Sequence, residues 1–185
     1  MSTEFYAEIW YVLVGVLLTG YAILDGFDLG VGALHLQARG DEERRIFLNA
    51  IGPVWDGNQV WLVTGGGALF AAFPDVYATA FSGFYLAFIL LLFTLVFRGV
   101  SIHVRSLRPG RAWRRAWDGA FFLSSLLASL LIGVALGNIV WGVPVGADFL
   151  YDGNLLDQIH LYSLLIGVTV VALFSVMASI LSTGG

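Results

Sequence analysis

Residues 9–36 read IWYVLVGVLLTGYAILDGFDLGVGALHL. An α-helix needs about 20 residues to cross the hydrocarbon core of a membrane, and this apolar stretch exceeds that length. Asp25 and Asp28 lie inside it. The stretch therefore predicts a transmembrane helix that carries two acids within the membrane.

The rest of the chain has the same character. Hydrophobic residues make up 58% of the sequence and charged residues only 12%, which is a composition typical of membrane proteins. Five segments are long enough to span a membrane, and we expect them at residues 9–36, 53–73, 76–100, 117–140 and 159–181. The sequence thus predicts an all-α integral membrane protein, with residues 1–185 forming a single transmembrane domain built as a four-helix bundle plus one helix.

The basic residues predict how this domain is oriented. All are arginines, and they follow the first and third predicted spans: Arg39, Arg44, Arg45, Arg98, Arg105, Arg108, Arg111, Arg114 and Arg115. Under the positive-inside rule both arginine-bearing loops are cytoplasmic and the N-terminus is outside. An arginine run between two membrane helices is explained by this rule and by contact with lipid headgroups, so we expect no nucleic-acid partner.

The first span is not expected to be removed as a signal peptide. Glu4 and Glu8 precede it instead of basic residues, and it lacks a small-residue cleavage site before polar sequence. We expect it to remain as a membrane helix.

The potential metal and haem ligands are few. The chain has no cysteine, which excludes disulfides, iron–sulfur clusters and Cys-ligated zinc within it. Histidine is the usual haem ligand in membrane bundles, but His35 and His103 fall at one predicted membrane face and His160 at the other. We therefore expect no metal site and no haem bound by this chain alone.

Asp25, Asp28 and Asp56 are the candidate functional residues. An ionisable group inside a membrane is costly and by default indicates a proton or ion path. At 1.5 Å per residue, Asp28 and Asp56 both lie about 25 to 29 Å from the outer face. We expect them to face one cavity between antiparallel neighbouring spans, with Asp25 one turn deeper on the face of Asp28. The sequence predicts a short proton relay.

A structural explanation is open for Asp56 but not for the other two acids. Pro53 should begin a helix, which places Asp56 in a first turn where the orphan N–H groups and the helix dipole favour a carboxylate. Asp25 and Asp28 lie near the C-terminal end of their helix, where negative charge is disfavoured. A functional or partner-pairing role is therefore favoured for this pair.

Polar residues accompany Asp56 at the start of the second span. Asn58 and Gln59 follow it and Trp55 precedes it. Polar groups in a membrane span need partners or water, so we expect these three residues to support the site.

Two further patterns favour helix packing over ligand binding. Small residues four apart allow two helices to approach closely, and the chain has two such pairs: Gly26 with Gly30, and Gly133 with Gly137. Aromatic residues at helical spacing could hold a quinone tail, but more often they pack against helices or lipid. This second pattern consists of Phe81, Phe84 and Phe88.

These motifs resemble the second subunit of cytochrome bd-type quinol oxidases, including the cyanide-insensitive oxidases. The resemblance rests on DGFDLGVG at 25–32, ERR at 43–45, PVWDGNQVWL at 53–62, GGALFAAFP at 66–74 and AFSGFY at 80–85. It is specific over residues 10–98, looser over residues 133–144, and weak beyond Asp148.

The resemblance implies a quinol:dioxygen oxidoreductase of the bacterial cytoplasmic (inner) membrane that reduces dioxygen to water with protons from the cytoplasm. Haems b and d are then expected in a partner, subunit I, which would form a heterodimer with this chain. A small accessory subunit, membrane lipid and a bound quinone are further expected partners. By motif match Asp56 lies on a proton route toward the partner's haems, with Asp25 and Asp28 nearby.

Family members continue through several more spans, whereas this sequence ends at Gly185 directly after an apolar segment. We therefore expect a truncated or divergent form of the subunit, which would not be catalytic alone.

Two other functions stay open. A proton- or cation-coupled transporter would also need paired intramembrane acids, but it would normally show an inverted repeat with broken helices, and no second DGFD-like run is present. A purely structural or assembly subunit would tolerate replacement of the acids without loss of turnover.

Overall fold

The computed structural model describes residues 3–146, 151–153 and 155–183. Within them regular structure is helical, apart from an isolated antiparallel bridge between Val145 and Tyr151. The α-helices of this part are α1 Thr3–Leu34, α2 Asp41–Ile51, α3 Trp55–Ala72, α4 Pro74–Gly83, α5 Tyr85–Val104, α6 Arg111–Trp141 and α7 Leu161–Thr183. The predicted all-α fold is confirmed. Gly184 and Gly185, where the truncation is predicted, lie outside the described residues.

Four of the described helical segments are long and apolar enough to cross a membrane, by length and composition: Glu4–Gln37, Tyr85–Leu107, Arg111–Trp141 and Leu161–Ile180. They make the chain a multi-pass membrane protein. Helix α3 has 18 residues, but Asp56, Asn58 and Gln59 in its first turns lower its mean hydropathy. The predicted span at 53–73 therefore stays a prediction.

The predicted third span consists of two helices. A continuous helix is predicted over residues 76–100, whereas α4 ends at Gly83 and α5 begins at Tyr85. Between them Phe84 has φ −99° and ψ 20°. Nε2 of Gln158 donates a hydrogen bond to the carbonyl of Gly83 at 2.5 Å. A side chain from the segment before α7 thus pairs with a carbonyl at this helix end, where an intrahelical partner is missing.

A helix lies in the segment that the predicted spans at 9–36 and 53–73 leave between them. Helix α2 begins with acidic residues and buries Phe47, Leu48 and Ile51. These three side chains join Val31 of α1 and Phe121 of α6 in one hydrophobic cluster. Because one face of α2 is apolar, the helix lies against the end of the bundle.

Helix α1 packs against α3, α6 and α7, and α6 packs against α5 and α7. Glycines allow a close approach at some of these contacts. A Cβ at Gly30 would collide with the backbone carbonyl of Phe174, and a Cβ at Gly133 would lie 2.6 Å from the Cα of Gly167. A Cβ at Gly137 would lie 2.8 Å from another backbone atom of α7. The predicted packing role of the glycine pairs is confirmed.

Candidate functional site

Asp25 and Arg98 form an ion pair in the interior of the bundle. Nη2 of Arg98, on α5, donates to Oδ1 of Asp25, on α1, at 2.5 Å, and both side chains are 0% exposed. The prediction that Arg98 is an orienting charge after a span is therefore corrected. Because α5 continues to Val104, Arg98 lies inside a helix, where a buried charge needs a partner.

Asp28 lies one turn along α1 from Asp25 and is covered by α3. Nδ2 of Asn58 donates to Oδ2 of Asp28 at 2.9 Å and approaches the carbonyl of Leu24 at 3.4 Å. Asp28 is fully buried. The structure thus brings together the two acids of α1 and one of the polar residues of α3.

Several polar atoms around this pair of acids have no hydrogen-bond partner among the described residues. They are Oδ1 of Asp28, and Nε and Nη1 of Arg98. Tyr21 lies one turn before Asp25 on the same face of α1 and is 4% exposed. The buried acids therefore lie in a pocket of polar groups rather than in a fully apolar core.

Asp56 does not join them. Its side chain is exposed, and it forms no hydrogen bond or ion pair with the described residues. Residues two apart on an α-helix point about 200° away from each other. Because Asn58 faces Asp28, Asp56 faces away from it. The expectation that Asp56 and Asp28 face one cavity within this chain is corrected.

Asp56 instead begins an exposed face of α3. Val60, Val63, Gly67 and Phe70 continue this face at helical spacing, and the side chains of Val63 and Phe70 are 73% and 60% exposed. A Cβ at Gly67 would meet no atom within 4 Å. The described part of the chain thus leaves an apolar helix face uncovered, with a carboxylate at one end.

Trp55 and Gln59 point toward α5. The ring of Trp55 lies against Gly99, where a Cβ would come within 2.8 Å of it, and its centre is 5.7 Å from that of His103. These residues line a mostly apolar groove of about 550 Å³ between α3 and α5. Nε2 of Gln59 is buried there without a partner among the described residues. Trp55 and Gln59 therefore belong to the groove and not to the buried acids.

A second cluster of buried charges lies where α1 ends and α6 begins. Its centre is Asp118 of α6, which is 1% exposed. Asp118 accepts hydrogen bonds from Nε of Arg105 at 2.5 Å and from Nη1 of Arg44 at 3.0 Å. Nε2 of His35 lies 2.7 Å from Asp118 Oδ1. The Asp118 carboxylate thus connects α6 with α2 and with the segments that follow α1 and α5.

Asp41 extends this cluster to the surface. It accepts hydrogen bonds from Nη2 of Arg105 at 2.6 Å and from Nη1 of Arg114 at 2.7 Å, and its side chain is 45% exposed. The hydrogen bond from Arg105 lowers the pKa of the Asp41 carboxyl below its ordinary value. Arg105 therefore connects a buried acid to an exposed one.

The sequence-based prediction missed this cluster, although one signal was present. Asp118 is the second residue of the predicted span at 117–140, so it is an acid at the edge of an apolar segment. The sequence patterns place His35 at a helix end and Arg105 in a cytoplasmic loop that orients the chain. Their burial depends on the long-range contact with Asp118, which a local pattern does not reveal.

His103 and His160 make local contacts near helix ends. Nδ1 of His103 lies 3.1 Å from the carbonyl of Gly99, and Nδ1 of His160 accepts a hydrogen bond from the N–H of Ser163 at 3.3 Å. In the described ranges no group of three or more His, Cys, Asp or Glu residues could hold a metal ion.

The aromatic stripe is interrupted by the break at Phe84. Phe81 and Phe88 stack on each other with ring centres 4.3 Å apart, and Tyr77 stacks on Phe81 at 4.0 Å. Phe84 is turned inward and is 4% exposed. These rings contact each other, which favours packing over a groove for a quinone tail at this position.

Comparison with known proteins identifies relatives over nearly the whole chain. The family model described as cytochrome bd terminal oxidase subunit II matches residues 6–183. Cytochrome bd-I ubiquinol oxidase subunit 2 of Escherichia coli K12 is 52% identical over 170 residues, which cover 89% of this chain and 45% of that protein. Cytochrome bd ubiquinol oxidase subunit 2 of Bacillus subtilis 168 is 42% identical over 167 residues, which cover 90% of this chain and 49% of that protein. The chain spans about half the length of the curated relatives it matches.

Proposed function

The chain belongs to the cytochrome bd terminal oxidase subunit II family, and on that basis we propose that it acts as the second subunit of a quinol:dioxygen oxidoreductase in the bacterial cytoplasmic membrane. Its partner would be subunit I, which would hold haems b and d and carry out the electron transfer. This chain would support that subunit and supply part of a proton path from the cytoplasm, because reduction of dioxygen to water consumes protons as well as electrons.

The position of Asp56 carries this proposal. A carboxylate exposed to lipid is costly, yet Asp56 lies at the end of the uncovered apolar face that continues to Phe70. A partner helix on this face would remove its apolar residues from lipid and place Asp56 at a subunit interface. An acid at such an interface is suited to pass a proton from this subunit to its partner.

The buried acids would form the inner part of the path. Asp28 and Asp25 are isolated from solvent within this chain, and Asn58 fixes the orientation of the Asp28 carboxyl through its 2.9 Å hydrogen bond. Asn58 lies two residues after Asp56 on the opposite side of α3. The first turn of α3 therefore separates an inner acid pair from the acid at the surface.

A bound quinone or lipid chain would fit the groove between α3 and α5. Its volume of about 550 Å³ and its apolar lining suit a hydrocarbon chain. Gln59 offers a buried donor without a protein partner among the described residues.

The test compares Asp56→Asn with Asp75→Asn in the complete complex. Both acids are exposed and lie in the first turn of a helix, α3 and α4 respectively, so each substitution removes a similar dipole interaction of about 0.3–1 kcal/mol. Loss of a proton-transfer group lowers a rate by about 10²- to 10⁴-fold. We expect Asp56→Asn to reduce quinol-driven oxygen consumption to that extent, while Asp75→Asn leaves it near the unmodified rate.

The amount of assembled complex is measured beside the rate. Normal assembly with slow turnover in Asp56→Asn supports a proton path. Unmodified turnover in both variants would show that Asp56 is dispensable for proton delivery and would favour a purely structural subunit.

A further inference from the structure

Three ionisable side chains are buried together in the bundle: Asp25 and Asp28 of α1 and Arg98 of α5. Each of them is 0% exposed. The polar side chains beside them, Tyr21 of α1 and Asn58 of α3, are neutral. The next charged cluster along α1 begins at His35, seven residues after Asp28 and about 10 Å away along the helix axis. The two carboxylates must therefore be balanced by one guanidinium.

Two carboxylates and one guanidinium would carry a net negative charge if all three groups were ionised. An uncompensated charge in a low-dielectric interior is so unfavourable that a buried carboxyl takes up a proton instead. Arginine stays protonated in proteins. The trio is therefore neutral when one of its two carboxyls holds a proton and the other is ionised.

The contacts distinguish the two acids. Asp25 receives a charge-assisted hydrogen bond from Arg98 at 2.5 Å, and such a bond favours the ionised carboxylate. Asp28 receives a hydrogen bond only from the neutral amide of Asn58, on Oδ2, and its Oδ1 has no partner among the described residues. A proton on Oδ1 of Asp28 would disturb neither contact.

We propose that this trio stores a single proton on Asp28, and that Arg98 is the positioning residue that keeps Asp25 ionised beside it. The use of this proton in dioxygen reduction rests on the proposed function, but its presence on Asp28 does not. The number of protonated carboxyls should then equal the number of acids minus the number of arginines in the trio.

Infrared spectroscopy of the complete complex tests this rule, because a protonated carboxyl has a C=O band that shifts when H2O is exchanged for D2O. Difference spectra between unmodified and variant complexes, scaled to equal amounts of protein, show how many protonated carboxyls each variant has gained or lost. Asp28→Asn should remove it. Asp25→Asn should also remove it, since Arg98 would then require ionised Asp28. Arg98→Gln should add a second band, because both acids would be protonated.

The double variant Asp25→Asn/Arg98→Gln contains one acid and no arginine, so it should show one band, as the unmodified complex does. It also removes the buried charge imbalance, which keeps the test informative if Arg98→Gln alone fails to assemble. Asp75→Asn serves as the control, since Asp75 is exposed on α4 and its substitution should leave the band unchanged.

An unchanged band in Asp28→Asn would overturn the proposal, as would a missing band in the double variant. The band pattern is independent of turnover. The expected pattern together with unmodified oxygen consumption in Asp28→Asn would support the stored proton and contradict the proton path through it.

Discussion

Asp118 and Asp41 both bind Arg105, yet replacing each by asparagine should have very different effects on the free energy of unfolding. Asp118 is buried and accepts hydrogen bonds from Arg105 and Arg44. In Asp118→Asn the new side chain would keep the shape but not the charge, and Arg105, whose side chain is 2% exposed, would lose its buried counter-charge. Removal of one partner from a buried ion pair costs about 3–5 kcal/mol. Because Asp41 remains bound to Arg105, we expect about 3 kcal/mol for Asp118→Asn, at the lower end of the range.

The Asp41 side chain is 45% exposed, and an exposed ion pair contributes about 0–1 kcal/mol. Asp41→Asn is therefore a matched control, since it removes the same carboxylate charge from the same arginine. Unfolding of both variants can be followed by tryptophan fluorescence during titration with dodecyl sulfate in mixed micelles. Equal stabilities of the two variants would refute the argument that burial gives Asp118 its larger role.

The pH dependence of Asp41 has a definite sign. The hydrogen bond from Arg105 lowers the pKa of Asp41 in the folded state, so the contribution of this acid is present above its unfolded pKa of about 3.9. It is lost as the pH falls through the lower folded pKa. The unmodified chain should therefore be more stable than Asp41→Asn at neutral pH, and the difference should vanish in strong acid.

Two further predictions concern packing and orientation. Gly30→Ala should destabilise the chain by about 1–3 kcal/mol, the usual cost of overpacking, because the new Cβ would collide with the backbone carbonyl of Phe174. Gly15→Ala on the same helix is the control and should be neutral or stabilising, because no atom lies within 4 Å of its new Cβ. Similar unfolding midpoints for the two variants would contradict the close contact of α1 with α7. Single cysteines at exposed Ser106 and Asp152 should react with an impermeant thiol reagent from the cytoplasmic and outer sides respectively, and the reverse pattern would overturn the predicted orientation.

Local patterns were sufficient to predict the helical membrane fold and the glycine contacts. Long apolar segments have few alternatives in a membrane, since every backbone polar group must be hydrogen-bonded within the protein. The glycine pairs were recognisable because close helix approach depends on spacing along one helix. The break at Phe84 was missed because its hydrogen bond comes from Gln158, which is distant in sequence.

The partners of the acids could not be predicted in this way. Asp25 and Arg98 are 73 positions apart, and their contact depends on how α5 is rotated and shifted against α1. The sequence shows only that Asp25 needs compensation near a helix C-terminus, where its charge is disfavoured. Arg98 provides that compensation. Arg105 is likewise the counter-charge of Asp118, which lies near the start of α6.

The side of α3 on which Asp56 lies, in contrast, follows from the sequence once the position of Asn58 is known. Asn58 faces α1, so helical geometry turns Asp56 to the other side of α3. A proton moving between Asp28 and Asp56 must therefore pass the first turn of α3. Gly57 lies in this turn and has no atom within 4 Å of its would-be Cβ. Gly57 thus adds no side chain to the proposed path, which leaves room there for water or for a group of the proposed partner subunit.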